Sequence, residues 1–410
     1  MLNNDAKTCN VLSAKELGLI VRDESGEIVG DINWCSTFHD KLLVPSVRME
    51  LRKLGIQNFK TALWSGGEFA KICKVCQDDT IYPLVLKLFQ KPYALHTEYH
   101  TYLSDKISTW KMERGVISNY LLEYHYYPNG YLNPSEPQKE SPFALMETAS
   151  NSSPLDIAFI SKHLRTDLLI SVKDDFLKLM RLFDVYEIGH GDLSPDNIMI
   201  QIDEIGNPHI KLIDYDDLYI PGFGKPVFTT ESGKPAFQHK SRNIEKALDK
   251  TVHYFSSIVI YLSLLVYSLR DGDPAYSKAY GDFISKIDPN IPEYEGETDE
   301  MREKRKADIR ERRANVIIRT DAKYLLFEMS NLTDKKEDAG EKKEINPFKK
   351  LVNYRHHEIC ELAKILEIYI QQETTEHFQS LPYLIDMIRK QDSTNVYTYS
   401  MRPGSPIYRE

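Results

Sequence analysis

Cysteine is scarce in this chain: five in 410 residues, at Cys9, Cys35, Cys73, Cys76 and Cys360. An odd number spread so thinly argues against a disulfide framework and fits a reducing cytoplasm. Positive charge is not in excess either. The formal net charge is −9, which gives no general attraction to nucleic acid or anionic lipid, so no nucleic-acid partner is expected and any basic partner site must be local. The start, Met1-Leu2-Asn3-Asn4-Asp5-Ala6-Lys7, lacks the charged-then-apolar pattern of a secretory signal, so the first residues are expected to be retained. Long apolar runs are nearly absent. Val252 to Leu269 is the single stretch long enough to raise a membrane span. It contains His253, Ser256, Ser257 and Ser263 and has no strongly basic flanks, which predicts a buried helix and no membrane association.

What remains is ordinary globular material, 41% hydrophobic and 28% charged, long enough for two or three cores. Residues 1–55 read as an N-terminal appendage of unknown role. From Phe59 the pattern turns to strand (Phe59 to Trp64), turn (Ser65-Gly66-Gly67-Glu68) and strand (Phe69 to Val75), with a third strand over Leu84 to Phe89. A helix is expected around His96 to Ile107, and a further strand at Phe143 to Glu147. Residues 56–150 would thus form a small sheet-rich lobe, and residues 151–345 a mainly helical one. Within the latter, Phe176, Leu179, Met180 and Phe183 recur at helical spacing. A hairpin follows, Asn197 to Ile200 and Ile210 to Ile213 around the turn Gly206-Asn207-Pro208. The charge-rich stretch 292–345 reads as a solvated helix or mobile loop, 346–392 as a helical segment, and 393–410 as a loose tail.

Phosphoryl transfer from a nucleotide needs a metal held by carboxylate and amide oxygen, a cation on the phosphates, and a carboxylate near the attacking hydroxyl. Asp192 and Asn197 stand five apart on a loop leaving a helix and entering a strand, so both can point into one cleft. Asp214 ends the next strand. Lys87 shares a strand face with Val85, which would set an apolar side chain over a base while the ammonium reaches phosphate. The Cys73-Lys74-Val75-Cys76 run has no second pair and falls on an expected strand, which makes it structural and not a zinc site. His239, His253, His356 and His357 are too scattered for ligand spacing.

The run His190-Gly191-Asp192-Leu193-Ser194-Pro195-Asp196-Asn197 resembles the His-Arg-Asp catalytic loop of eukaryotic-type protein kinases, and Asp214-Tyr215-Asp216 sits where those have Asp-Phe-Gly. This version is similar to a group of bacterial stand-alone kinase-like proteins whose patterns read His-Gly-Asp-Leu and Val-Asp-Tyr-Asp-Gly-Met-Tyr-Val-Pro. Trp64-Ser65-Gly66-Gly67, Glu231-Ser232-Gly233-Lys234-Pro235, Gln238-His239, Arg242 and Phe255-Ser256 agree with that group, and the resemblance spans about Phe59 to Leu269.

The resemblance implies an α+β, two-lobed kinase-like fold with a small antiparallel sheet lobe over a mainly helical lobe, and an ATP- and Mg²⁺-dependent phosphotransferase, foremost a protein Ser/Thr kinase. Asp192 would be the catalytic base, Asn197 and Asp214 the metal ligands, and Lys87 the cation on the α- and β-phosphates. Glu98, or alternatively Glu113, would orient Lys87. The turn Ser65-Gly66-Gly67 would let backbone N–H groups approach phosphate, and Met146, Glu147 and Ala149 match the hinge that holds the adenine edge. A protein substrate or partner is implied; the oligomeric state is open. Four departures stand out: Gly191 for arginine, Ser194 for a lysine that would contact the transferred phosphate, Asp216 for glycine, and His253 for a bracing aspartate. Lys211 and Lys225 are candidates to replace the lost cation. A pseudokinase and a small-molecule phosphotransferase are the alternatives.

Overall fold

Alternation of apolar and polar positions builds the first sheet. The computed structural model describes residues 20–22, 28–31, 43–53, 55–56, 60–66, 70–77, 80–89, 94–132, 140–148, 152–155, 166–229, 233–268, 298, 351–352 and 356–400. The chain divides into two units, Met1–Ser150 and Asn151–Glu410. Together their described elements make an α+β protein with a small antiparallel sheet and several helices.

In the first unit, β1 (Ile20–Arg22) and β2 (Ile28–Asp31) pair as a hairpin, followed by helix α1 (Pro45–Lys53). Strands β3 (Lys60–Gly66), β4 (Ala70–Gln77), β5 (Thr80–Phe89), β6 (Tyr124–Leu132) and β7 (Glu140–Glu147) form a sheet in the order β3-β4-β5-β7-β6. Helix α2 (Ala94–Met112) packs against β6. Leu43, Val47, Leu51 and Ile56 share one core with Cys73, Val75, Leu86, Leu88, Phe143 and Leu145. The last part of the expected appendage is therefore core to this unit, where α1 buries Val47 and Leu51.

Two details differ from the sequence expectation. The strand expected to end at Trp64 continues: Ser65 pairs with Ile72 and Gly66 with Lys71 beyond a register irregularity at Leu63/Ser65. Ser65 and Gly66 are thus strand residues, and Gly67 lies outside the described residues. Strand β6 had not been anticipated, and it carries Pro128, Asn129 and Gly130 in its middle. The ladder loses register between Tyr127 and Tyr131, and an edge strand accommodates that proline.

In the second unit, β8 (Ser152–Pro154), β10 (Ile198–Ile202) and β11 (Pro208–Leu212) form a three-stranded antiparallel sheet, while β9 (Gly189–His190) pairs with β12 (Leu218–Tyr219). Helix α3 (Thr166–Tyr186) buries Phe176, Leu179, Met180 and Phe183, and packs against α4 (Tyr254–Ser268). Among the described residues no helix is long and apolar enough to cross a membrane. The long apolar run is α4, whose serines bond to its own carbonyls, as Ser263 Oγ does to Val259 O at 2.8 Å. Helices α5 (His357–Gln371) and α6 (Leu381–Ser400) close on it: Tyr261 of α4 donates to Glu358 of α5 (2.9 Å), which also accepts from Arg389 of α6 (3.0 Å). Helix α6 runs through Ser400, into the segment expected as a loose tail. The charged stretch 292–345 lies outside the described residues apart from Thr298.

Candidate active site

The loop after α3 is set up by the way that helix ends. Glu187 adopts a left-handed φ of 55°, and Ile188 N–H returns to Phe183 O at 2.9 Å, a helix stop that buries Ile188 and turns the chain into β9. Gly191 N–H then bonds to Asp217 O (2.8 Å), tying the loop to the segment after Asp214. Ser194 is extended, Pro195 opens a 3-10 turn through Asn197, and the Ser194 hydroxyl donates to Asp196 Oδ1 at 3.1 Å. Ile213 N–H bonds to Asn197 O (3.0 Å), which carries the β10–β11 ladder one step further and brings Asn197 and the residue before Asp214 side by side. Asp214 itself has φ 60°. A left-handed aspartate is a tolerated but strained conformation, of the kind that collects at functional sites.

Asp192 is held on both oxygens. Asn197 Nδ2 donates to Oδ2 (2.9 Å) and to the Asp192 carbonyl (2.8 Å), and Lys234 N–H donates to Oδ1 (3.1 Å). Burial pushes its carboxyl up to about 6 against the pull of these donors, with Asp214 and Asp196 adding repulsion. Asp217 is pushed up to about 7, again by burial first, with Asp216, Asp192 and Asp214 as further acidic neighbours and a Thr229 bond opposing. His190 is fully buried and lowered to about 4 by desolvation.

The space that Gly191 leaves is used. A Cβ there would lie 2.9 Å from the Arg242 guanidinium and 3.2 Å from Asp217 Cβ, so glycine lets Arg242 press against the loop among Asp217, Asp249 and Asp192. Gln238 Nε2 donates to Gly191 O (2.8 Å), and the Lys234 ammonium forms an ion pair with Asp196. No family model matches the chain, and neither does any curated protein.

The first unit positions its own predicted residues. Lys87 lies in mid-sheet, opposite Ile72 on β4 and Ala144 on β7, only 6% exposed, with its ammonium 5.7 Å from the Phe89 ring centroid. Val85 is buried on the same strand, opposite Met146. Met146 sits between Val85 and Tyr124, and Glu147 faces Leu84 at the end of β7; Ala149 lies outside the described residues. On α2, Glu98 is exposed, whereas Tyr99, His100, Leu103 and Ile107 form the buried face. Glu113 follows that helix in a turn.

Sequence reasoning missed two groups. Lys234, Gln238 and Arg242 were noted as matching residues with no role, and the structure brings all three onto the 191–197 loop. A cluster of Phe89, His96, His100 and Tyr126 was also missed. Its rings sit 4.0 to 5.7 Å apart, and His100 Nδ1 lies 2.5 Å from the Tyr124 hydroxyl. The helical spacing of His96 and His100 was the available signal.

Proposed function

We propose that this protein is an ATP- and Mg²⁺-dependent phosphotransferase that acts on a Ser or Thr hydroxyl of a protein, with a two-lobed kinase-like architecture. The observation that carries the reading is the Asp192 carboxylate, fixed by Asn197 and by the Lys234 N–H on a loop whose hairpin ends at the left-handed Asp214. In this role Asp192 accepts the proton of the acceptor hydroxyl while the oxygen attacks. The new O–P bond forms at the γ-phosphorus, the bond from that phosphorus to its bridging oxygen breaks, and the electron pair leaves with ADP.

A hard cation fits the donor set, because Asn197 spends its amide nitrogen on Asp192 and keeps its oxygen as an acceptor, and Asp214 offers a carboxylate one residue beyond the Ile213 N–H to Asn197 O bond. When bound, Mg²⁺ supplies positive charge to the phosphate oxygens of the nucleotide. In this reading Lys87 would meet the α- and β-phosphates and Val85 would cover the base, with Met146, Glu147 and Ala149 along the adenine edge. Backbone at the end of β3, at Ser65 and Gly66, and at Gly67 would face the phosphates, and Glu98 would be the acidic residue that orients Lys87.

A second reading, a pseudokinase that binds nucleotide and signals through a partner, is favoured by one feature: both Asp192 oxygens are already engaged and Asp216 and Asp217 add acidity around them. Labelled-phosphate transfer from ATP, paired with nucleotide binding in the presence and absence of Mg²⁺, separates the two. The enzyme reading expects Asp192→Ala to keep ATP binding and lose transfer, and Asp214→Ala to lose the Mg²⁺-dependent part of binding. Transfer that survives Asp192→Ala removes the base assignment; binding without any transfer favours the pseudokinase.

A further inference from the structure

The loop concentrates negative charge. Asp214 and Asp196 repel the charge on Asp192, and Asp216, Asp192 and Asp214 repel that on Asp217. A γ-phosphoryl group arriving here meets repulsion unless a cation meets it. Ser194, within the loop, is uncharged, fully buried and spent on Asp196.

Lys234 comes to this loop from the chain 38 residues beyond Asp196. Its backbone N–H caps Asp192 and its ammonium pairs with Asp196, so one residue spans both carboxylates. Its main chain is anchored on both sides. Gly233 has φ 72°, and a Cβ there would lie 2.8 Å from Asp192 Oδ1 and 2.6 Å from Gln238 Nε2, so only glycine lets the strap lie this close. On the other side Phe237 N–H closes a turn onto Lys234 O at 2.9 Å, with Ala236 and Phe237 fully buried. The side chain, by contrast, is accessible: the Lys234 and Asp196 side chains are 34% and 37% exposed. Ion pairs this open to water contribute little, so an anion competes with Asp196 for the ammonium at small cost, and a lysine carries three N–H donors.

We propose that Lys234 is the cation that meets the transferred γ-phosphoryl group, held in waiting on Asp196 by a strap whose backbone also positions Asp192. This rests on the phosphotransferase reading. As the acceptor oxygen bonds to phosphorus and the bridging bond breaks, the ammonium donates to a non-bridging phosphoryl oxygen; it transfers no proton, and the hydroxyl proton still goes to Asp192.

The test compares Lys234→Gln and Lys234→Arg with the full wild-type chain. It measures ADP release from Mg-ATP with water as acceptor, the affinities for Mg-ATP and Mg-ADP, and the melting temperature. Lys234→Gln is expected to lower turnover about 10²-fold and to weaken Mg-ATP but not Mg-ADP, which has no γ-phosphate, while Lys234→Arg restores most of both. Turnover within twofold of wild type in Lys234→Gln overturns the proposal. So does a loss accompanied by a lower melting temperature that arginine does not rescue, since Lys234 would then be only a staple for the strap. A wild type no faster than Asp192→Ala overturns the phosphotransferase reading and this proposal together, whereas a wild type well above Asp192→Ala with Lys234→Gln intact overturns this proposal alone.

Discussion

The five-stranded sheet of the first unit and the 189–242 region of the second are both well buried, yet they are held by different forces. In the sheet, Leu86, Phe143, Ala144 and Leu145 are at most 2% exposed and their backbone partners follow a regular ladder. In the loop region the buried residues include His190, Ser194, Asn197 and Asp217. Apolar burial is indifferent to which apolar group fills a space of the right volume, whereas a buried polar network depends on the identity of each donor and acceptor. The sheet should therefore respond to lost volume and keep its chemistry, and the loop should respond to changed atoms at constant volume.

The largest effect is expected from Phe143→Ala. Phe143 is fully buried and stacked on Tyr127 at 4.8 Å, and its removal should lower stability by about 3–5 kcal/mol, read from urea unfolding. A loss below about 1 kcal/mol would mean that packing does not hold this sheet. Asp192→Asn should show the opposite profile. Its volume is unchanged, so turnover falls about 10²-fold while the melting temperature changes little, because relief of the buried charge offsets the N–H bond lost where an accepting oxygen becomes a donor. A fall in both would merge the two regions into one behaviour. Gly233→Ala is intermediate: a φ of 72° and the crowding against Asp192 should lower stability by about 1–3 kcal/mol, seen as a shift in urea midpoint.

The smallest effect is a pH dependence. His253 is fully buried beside Phe183, Tyr254 and His190, its Nδ1 has no hydrogen-bond partner, and burial lowers it to about 3, with His190 adding repulsion. The folded state thus resists a proton that the unfolded chain accepts near pH 6.5. This contribution to stability is complete above about pH 6.5 and is lost as pH falls toward 3. In His253→Leu the urea midpoint should fall less between pH 7 and pH 5 than in the wild type; an identical fall would place the acid sensitivity elsewhere.

Local pattern explains which parts of the molecule could be read in advance. The β10–β11 hairpin, helix α3 and the spacing of Asp192, Asn197 and Asp214 are visible because period and spacing act over a few residues. Lys234 reaches Asp192 across 42 residues, and nothing in the intervening chain has a period that points there. Lys211 and Lys225 were the lysines considered from the sequence, whereas the one bonded to Asp192 and paired with Asp196 is Lys234. On α2 the helix itself was expected, but not its buried face, which carries His100 and Leu103 while Glu98 is exposed. Composition alone does not determine which face of a helix with so little amphipathic contrast is buried.

The strap also leans on the last turn of α5 and the segment after it. His239, one residue past Gln238, donates from Nε2 to Tyr369 O (2.9 Å), and Tyr369 stacks on Phe378 at 3.9 Å, with Phe378 edge-on to His239. During synthesis, Asp192, Asn197 and Asp214 all leave the ribosome well before α5 does. The segment that caps Asp192 gains its backing only once residue 378 has been made, so the nascent chain carries its acidic loop long before it can hold that loop in its finished form.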